Sequence, residues 1–102
     1  MATRMRLLEP IHPGEILYHD FMAPLGISIN RLARDLDVPP NRISQIVRGK
    51  RALTADTALR LGRYFRVSPE VWLNLQVDYE MRVASRERGK EIQRRVRPRA
   101  AA

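Results

Sequence analysis

A broken apolar pattern between Ile29 and Arg48 limits what this chain can become more than any other feature. Ile29, Leu32, Ala33 and Leu36 recur at helical spacing, and Ile43, Ile46 and Val47 resume it after a break at Asp37 and Val38. The break is too short for a loop and too sharp for one continuous helix. Two short helices joined by a tight turn satisfy it, the second offset so that its polar side projects outward. Ala33 sits where the two helices cross, because a larger side chain would force them apart. Leu32, Leu36, Val38, Ile43 and Ile46 form a small shared core. Asp37 makes the turn at positive φ, where glycine is the cheapest residue and aspartate a tolerated alternative.

With Ile43, Ile46 and Val47 facing inward, helical spacing leaves Asn41, Arg42, Ser44, Gln45 and Arg48 outward. A helix has the right diameter for the DNA major groove, and these side chains suit base edges. Asn and Gln pair with adenine, Arg with guanine, and Ser reaches several acceptors. Pro40 offers apolar contact to a thymine methyl. The expected base contacts are therefore Pro40, Asn41, Arg42, Ser44 and Gln45. Arg48, Lys50 and Arg51 cluster at the far end of the same helix and suit phosphates. Ser28 and Asn30, at the start of the preceding helix, are placed to hold phosphate at a helix N-terminus. The plainer alternative is a helical hairpin whose polar side is merely solvated.

The flanking residues read as helices too, and strand signals are nearly absent, so the fold class is all-α with five helices. Residues 1–11 read as an extended arm. Pro13 opens the first helix, with His12 as its cap and Glu15 favouring the positive helix end. Ile16, Leu17 and Phe21 make its buried stripe. Pro24 is expected to push Ala23 out of helical geometry, and Gly26 to take a left-handed turn. Ser28 caps the second helix, roughly 29–36. Pro40 opens the third, roughly 40–48, and Gly49 stops it. Thr54 caps the fourth, roughly 55–65, whose apolar set is Ala58, Leu59, Leu61, Tyr64 and Phe65. Ser68 and Pro69 start a fifth that runs to about residue 84 or further.

That last helix carries two apolar stripes. Trp72, Leu75, Tyr79 and Val83 share one; Leu73, Val77 and Ala84 share the other. One stripe covers the bundle, and so short a chain has nothing left to bury the second. An exposed apolar face of that kind marks a protein contact. The expected arrangement is a homodimer through the fourth and fifth helices, with Trp72, Leu73, Leu75, Val77 and Tyr79 at the interface. A partly exposed stripe on a monomer is the alternative.

Charge supports a polyanionic partner. The 102 residues carry a net +8, unevenly distributed. Residues 85–102 hold 7 Lys/Arg against 2 Glu, while residues 1–84 hold 12 against 9 acidic residues. Nucleic acid is the natural partner, ahead of a membrane. The domain reading is residues 12–84 as the DNA-binding and dimerisation domain and 85–102 as a basic, disordered tail.

Several classes drop out. The chain has no cysteine, which removes disulfides, thiolate metal sites and a cysteine nucleophile, and fits the cytoplasm. No apolar stretch approaches a membrane span, and Met1 to Leu8 lacks the apolar core of a secretion signal. His12 and His19 stand seven residues apart, not the four of a zinc helix motif, so no metal site is read there. No nucleophile set and no phosphate-binding glycine loop occur, so neither an enzyme nor a cofactor is expected.

The ordered series His12-Pro13-Gly14-Glu15-Ile16-Leu17, Pro24-Leu25-Gly26-Ile27-Ser28, Arg42-Ile43-Ser44, Gly49-Lys50-Arg51, Thr54 through Leu61, and Trp72-Leu73-Asn74-Leu75-Gln76 resembles HigA-type (VapI-like) antitoxins. These are helix-turn-helix proteins of the Xre/lambda-repressor-like class. The resemblance covers roughly residues 10–82 and leaves the basic tail outside. It implies a homodimeric bacterial antitoxin that binds a palindromic operator, represses its own operon and holds a HigB-type, RelE-like ribonuclease toxin inactive. Asp37 departs from the glycine common at that turn, and Pro39-Pro40 from the usual polar helix opening. Two rivals stand beside this reading: a stand-alone repressor without a toxin, and a protein-interaction module that no longer reads DNA.

Overall fold

The computed structural model describes residues 9–100. The arm expected over residues 1–11 falls outside the described residues except for Glu9, Pro10 and Ile11, which are not helical. Five helices follow. In α1 the backbone is α-helical over Pro13–Ile16, π-helical over Leu17–Met22 and α-helical again over Ala23–Leu25. Then come α2 (Ile29–Leu36), α3 (Pro40–Val47), α4 (Ala55–Phe65) and α5 (Pro69–Arg95). Among the described residues there is no strand, and no helix is long and apolar enough to cross a membrane.

Local chemistry explains the helix ends. His12 caps α1, its Nδ1 accepting the Gly14 N–H at 2.9 Å, with Pro13 in the first helical position. The expected break at Ala23 does not occur: its φ of −60° and ψ of −47° are helical. An α-helical turn would drive the Pro24 ring against the carbonyl four residues earlier. The π turn immediately before it relieves that conflict, with the Ala23 N–H reaching back five residues to the Tyr18 carbonyl. Gly26 then ends α1 at φ 66°. Ser28 caps α2 by accepting the Arg31 N–H at 3.1 Å. Asp37 ends α2 at φ 59°, the left-handed turn its position demands. Thr54 and Ser68 occupy the N-cap positions of α4 and α5, yet neither side chain makes a capping bond.

α2 packs on α3 and on α4, α1 on α3 and α5, and α4 on α5. Leu17, Met22, Leu32, Ala33, Ile43, Ile46, Ala58 and Leu61 are sealed from solvent, and Leu36 and Val38 join them. Burying a side chain such as Ile43 contributes about 2 kcal/mol each time. Phe21 stands between the rings of Phe65 and Trp72, with centroids 5.0 and 4.9 Å away. Leu59, expected among the buried residues of α4, is 63% exposed, because it lies on the side of α4 turned from the core.

Helix α5 has 27 residues, about 40 Å at 1.5 Å per residue. It runs past residue 84 to Arg95, so most of the segment expected as a disordered tail continues the helix. Acidic and basic partners one turn apart support it: Arg88 and Arg95 reach the Glu91 carboxylate at 3.0 and 3.6 Å.

Candidate nucleic-acid interface

The placement of α3 is built from three directions. From the front, Val38 N–H bonds the Ala33 carbonyl at 3.0 Å, closing the turn between α2 and α3. From the side, Arg60 of α4 donates to the Leu36 and Asp37 carbonyls at 2.8 and 3.2 Å, answering orphan groups at the end of α2. From behind, α1 approaches so closely that a Cβ on Gly14 would overlap the Ile46 carbonyl oxygen. Only glycine permits that approach. Sequence reasoning reads Arg60 and Gly14 as ordinary positions; each is a support of α3.

On this support the residues expected outward differ in exposure, and Arg42 is half-buried. Pro40 and Asn41 are exposed, while Ser44 and Gln45 are half-buried at the helix flank. Ser28 and Asn30 line the same open groove as Pro40, Asn41 and Ser44, so the start of α2 and the start of α3 share one surface. Arg48, Lys50 and Arg51 are exposed in the loop after α3, where Gly49 takes φ 74°. All ten residues expected at bases or phosphates therefore lie on α3, on its following loop or at the start of α2.

Arg42 differs from its neighbours. Its guanidinium donates to the Asp56 carboxylate at 2.6 Å, and Arg60 donates to the same oxygen at 2.9 Å. The Arg60 and Arg42 hydrogen bonds hold the Asp56 carboxyl below the ordinary carboxylate range. Arg42 is thus aimed along the surface by a partner fourteen residues away, with Arg51 lining the same hollow. Asp35 is engaged similarly by the Tyr64 hydroxyl at 2.7 Å and by Arg31 at 2.9 Å, which lowers its pKa and raises that of Tyr64.

His12 is 8% exposed, and its ring lies edge-on to Tyr79 with centroids 4.9 Å apart. Burial lowers its pKa from the ordinary 6.5, opposed by a hydrogen bond to the Arg51 backbone and by the Glu15 charge. A neutral ring fits, because Nδ1 must keep its lone pair to accept the Gly14 N–H.

The expected interface residues divide. Trp72 is 1% exposed and packed on Phe21, so it is a core residue and offers no surface to a second subunit. Leu73 and Leu75 pack half-buried against the core, and Tyr79 against His12. Val77 is 57% exposed, and Met81, one turn further and not singled out from the sequence, is 65% exposed.

The helix-turn-helix family model matches residues 20–72. The chain is 49% identical over 81 residues to virulence-associated protein I of Dichelobacter nodosus, across 79% of this chain and 75% of that one. It is similar in structure to an addiction module antidote protein of the HigA family from Coxiella burnetii. There the TM-score is 0.84 at 46% identity, over 89% of this chain and 99% of the other. The Pseudomonas aeruginosa antitoxin HigA, solved with the higBA promoter, gives a TM-score of 0.86 at 44% identity, over 88% and 98%.

Proposed function

Because this chain belongs to the HigA family of helix-turn-helix proteins, we propose that it is the antitoxin of a type II toxin–antitoxin pair. In this reading it binds a palindromic operator as a homodimer, represses its own operon and neutralises a HigB/RelE-like ribonuclease toxin. It is a DNA-binding regulator, not an enzyme. The observation that carries the DNA part is the division of α3: Ile43 and Ile46 are 0% exposed, while Pro40, Asn41 and the loop cations stand in solvent. A helix fixed on one side and polar on the other is what major-groove reading requires. Support for the toxin part comes from relatives: the matching Coxiella burnetii structure is of an addiction module antidote protein.

The proposed base contacts are Pro40, Asn41, Arg42, Ser44 and Gln45; the proposed phosphate contacts are Ser28, Asn30, Arg48, Lys50 and Arg51. The exposed Val77 and Met81 mark the proposed dimer face, with the half-buried Leu73, Leu75 and Tyr79 beside it. A dimer serving this role holds two copies of α3 about 34 Å apart, one per major groove. Residues 12–84 form the binding and dimerisation unit, and the cytoplasm, at the nucleoid when bound, is the site of action. The test joins a footprint on the DNA upstream of its reading frame with a pull-down of the native protein. A protected palindrome and a small co-purifying ribonuclease support the proposal. A palindrome without the ribonuclease leaves a stand-alone repressor, and no salt-sensitive binding at all removes the DNA reading.

A further inference from the structure

The loop after α3 carries Lys50 and Arg51, and its two ends are held differently. At its start, the Gly49 and Lys50 N–H groups close onto the Ile46 and Gln45 carbonyls at 3.0 and 2.8 Å. At its end the Leu53 side chain is buried at 1% exposure. No helix is present there to accept the Leu53 N–H, and a buried donor must find an acceptor. It finds one 23 residues away: Gln76 Oε1 accepts it at 2.8 Å.

Gln76 lies on α5 and is itself 6% exposed, the only glutamine among the buried polar residues described. Its Nε2 donates to the Glu80 carboxylate at 2.7 Å. The pair settles which way the amide points. A backbone N–H only donates and a carboxylate only accepts, so Oε1 must face Leu53 and Nε2 must face Glu80. Glu80 therefore holds the amide in the one orientation that serves the loop.

We infer that Gln76 is a positioning residue for DNA binding. By satisfying the Leu53 N–H from α5, it sets the path of the loop that presents Lys50 and Arg51, and Glu80 orients it. The inference rests on the reading of that loop as a phosphate-contacting segment. Removing the acceptor leaves a buried N–H unpaired, and the loop must open toward water to satisfy it.

The experiment uses the full chain and four variants: Gln76→Leu, Gln76→Glu, Glu80→Gln and the double variant Gln76→Glu with Glu80→Gln. Gln76→Leu keeps most of the volume and deletes the acceptor. Gln76→Glu alone sets two carboxylates against each other. The double variant restores both bonds with the roles exchanged: the carboxylate now at position 76 accepts from the Leu53 N–H, and the amide now at position 80 donates to that carboxylate. Each variant is measured for affinity and salt slope on the footprinted duplex and on a scrambled duplex, and for amide hydrogen exchange at Leu53. Gln76→Leu is expected to weaken both duplexes about tenfold. Its salt slope should fall by about 1–2. Exchange should accelerate at Leu53 and its loop neighbours ahead of the core amides, and the double variant should recover all three readouts. Unchanged affinity and slope in Gln76→Leu, or exchange that rises equally throughout the molecule, would overturn the inference. So would failure of the double variant to recover a folded protein's binding. Wild-type protein that binds neither duplex would sink the DNA reading instead, and the exchange comparison would then still decide whether Gln76 holds the loop.

Discussion

The two ends of α3 are built on opposite principles. Its C-terminal end is clamped: the Gly14 backbone touches Ile46, the His12 ring lies against Gly49, and Gln76 holds the loop beyond. Its N-terminal end is nearly bare. Pro39, Pro40 and Asn41 are exposed, and no side chain caps the helix. Two prolines substitute for a cap there, because Pro40 has no N–H to satisfy and its ring presets the helical φ. The α2 turn and the C-terminal clamp together fix how α3 lies, while the outer surface of its first turn stays open, as the proposed approach of a duplex requires.

The largest effect should come from breaking the clamp. Gly14→Ala puts a methyl where the Ile46 carbonyl stands, backbone against backbone, and should lose about 3 kcal/mol in chemical denaturation. Asn41→Ala, at the open end, should change stability by less than about 0.5 kcal/mol. Equal losses at the two positions would erase the contrast. Next in size are the proposed base contacts. Arg42→Ala or Gln45→Ala should each cost about 1–3 kcal/mol of discrimination between the operator and a mismatched duplex. Lys50→Ala should instead weaken all duplexes alike and reduce the salt slope by about 1. If Arg42→Ala and Gln45→Ala leave discrimination intact in a binding titration, α3 is not the reader.

A smaller effect belongs to the turn that feeds the open end. Asp37→Gly removes the left-handed penalty at φ 59° and should raise stability by up to about 1 kcal/mol, read as a higher Tm. The smallest is at His12. Its folded pKa lies below the ordinary 6.5, so the unfolded chain takes up a proton that the folded chain refuses. Stability should therefore be complete above about pH 6.5 and decline as pH falls through the lowered value. His12→Asn, which can still cap the helix but does not titrate there, should flatten that stretch of the stability curve.

Much of this arrangement is legible in residue order because it depends on local rules. The helix starts at Pro13, Ile29, Pro40, Ala55 and Pro69, the positive φ at Asp37, and the inward set Ile43 and Ile46 all follow from caps, prolines and spacing. What escapes is set by contacts distant in sequence or by competing local effects. The π turn over Leu17–Met22 depends on how the backbone accommodates Pro24, which periodicity does not report. Gln76 looks like one polar residue on an apolar helix, and only the burial of Leu53 explains it. Arg60 reads as a surface charge until its reach to the Leu36 carbonyl is seen. Trp72 sits on an apolar stripe that the pattern could assign either to the core or to a partner, and the Phe21 ring decides for the core. The basic stretch after residue 84 suggests disorder by its charge, whereas its acidic residues sit where they pair along a helix.

The Gly14 contact has one more consequence. Because main chain meets main chain at that seat, this contact does not depend on the side chains of Asn41, Ser44 or Gln45. Under the proposed reading, target preference is thereby separated from this one clamp. With the base contacts as proposed, substitutions at those positions retune the protein toward a different promoter as one exchanges a key blade on an unchanged bow, with Arg42, ion-paired to Asp56, the exception.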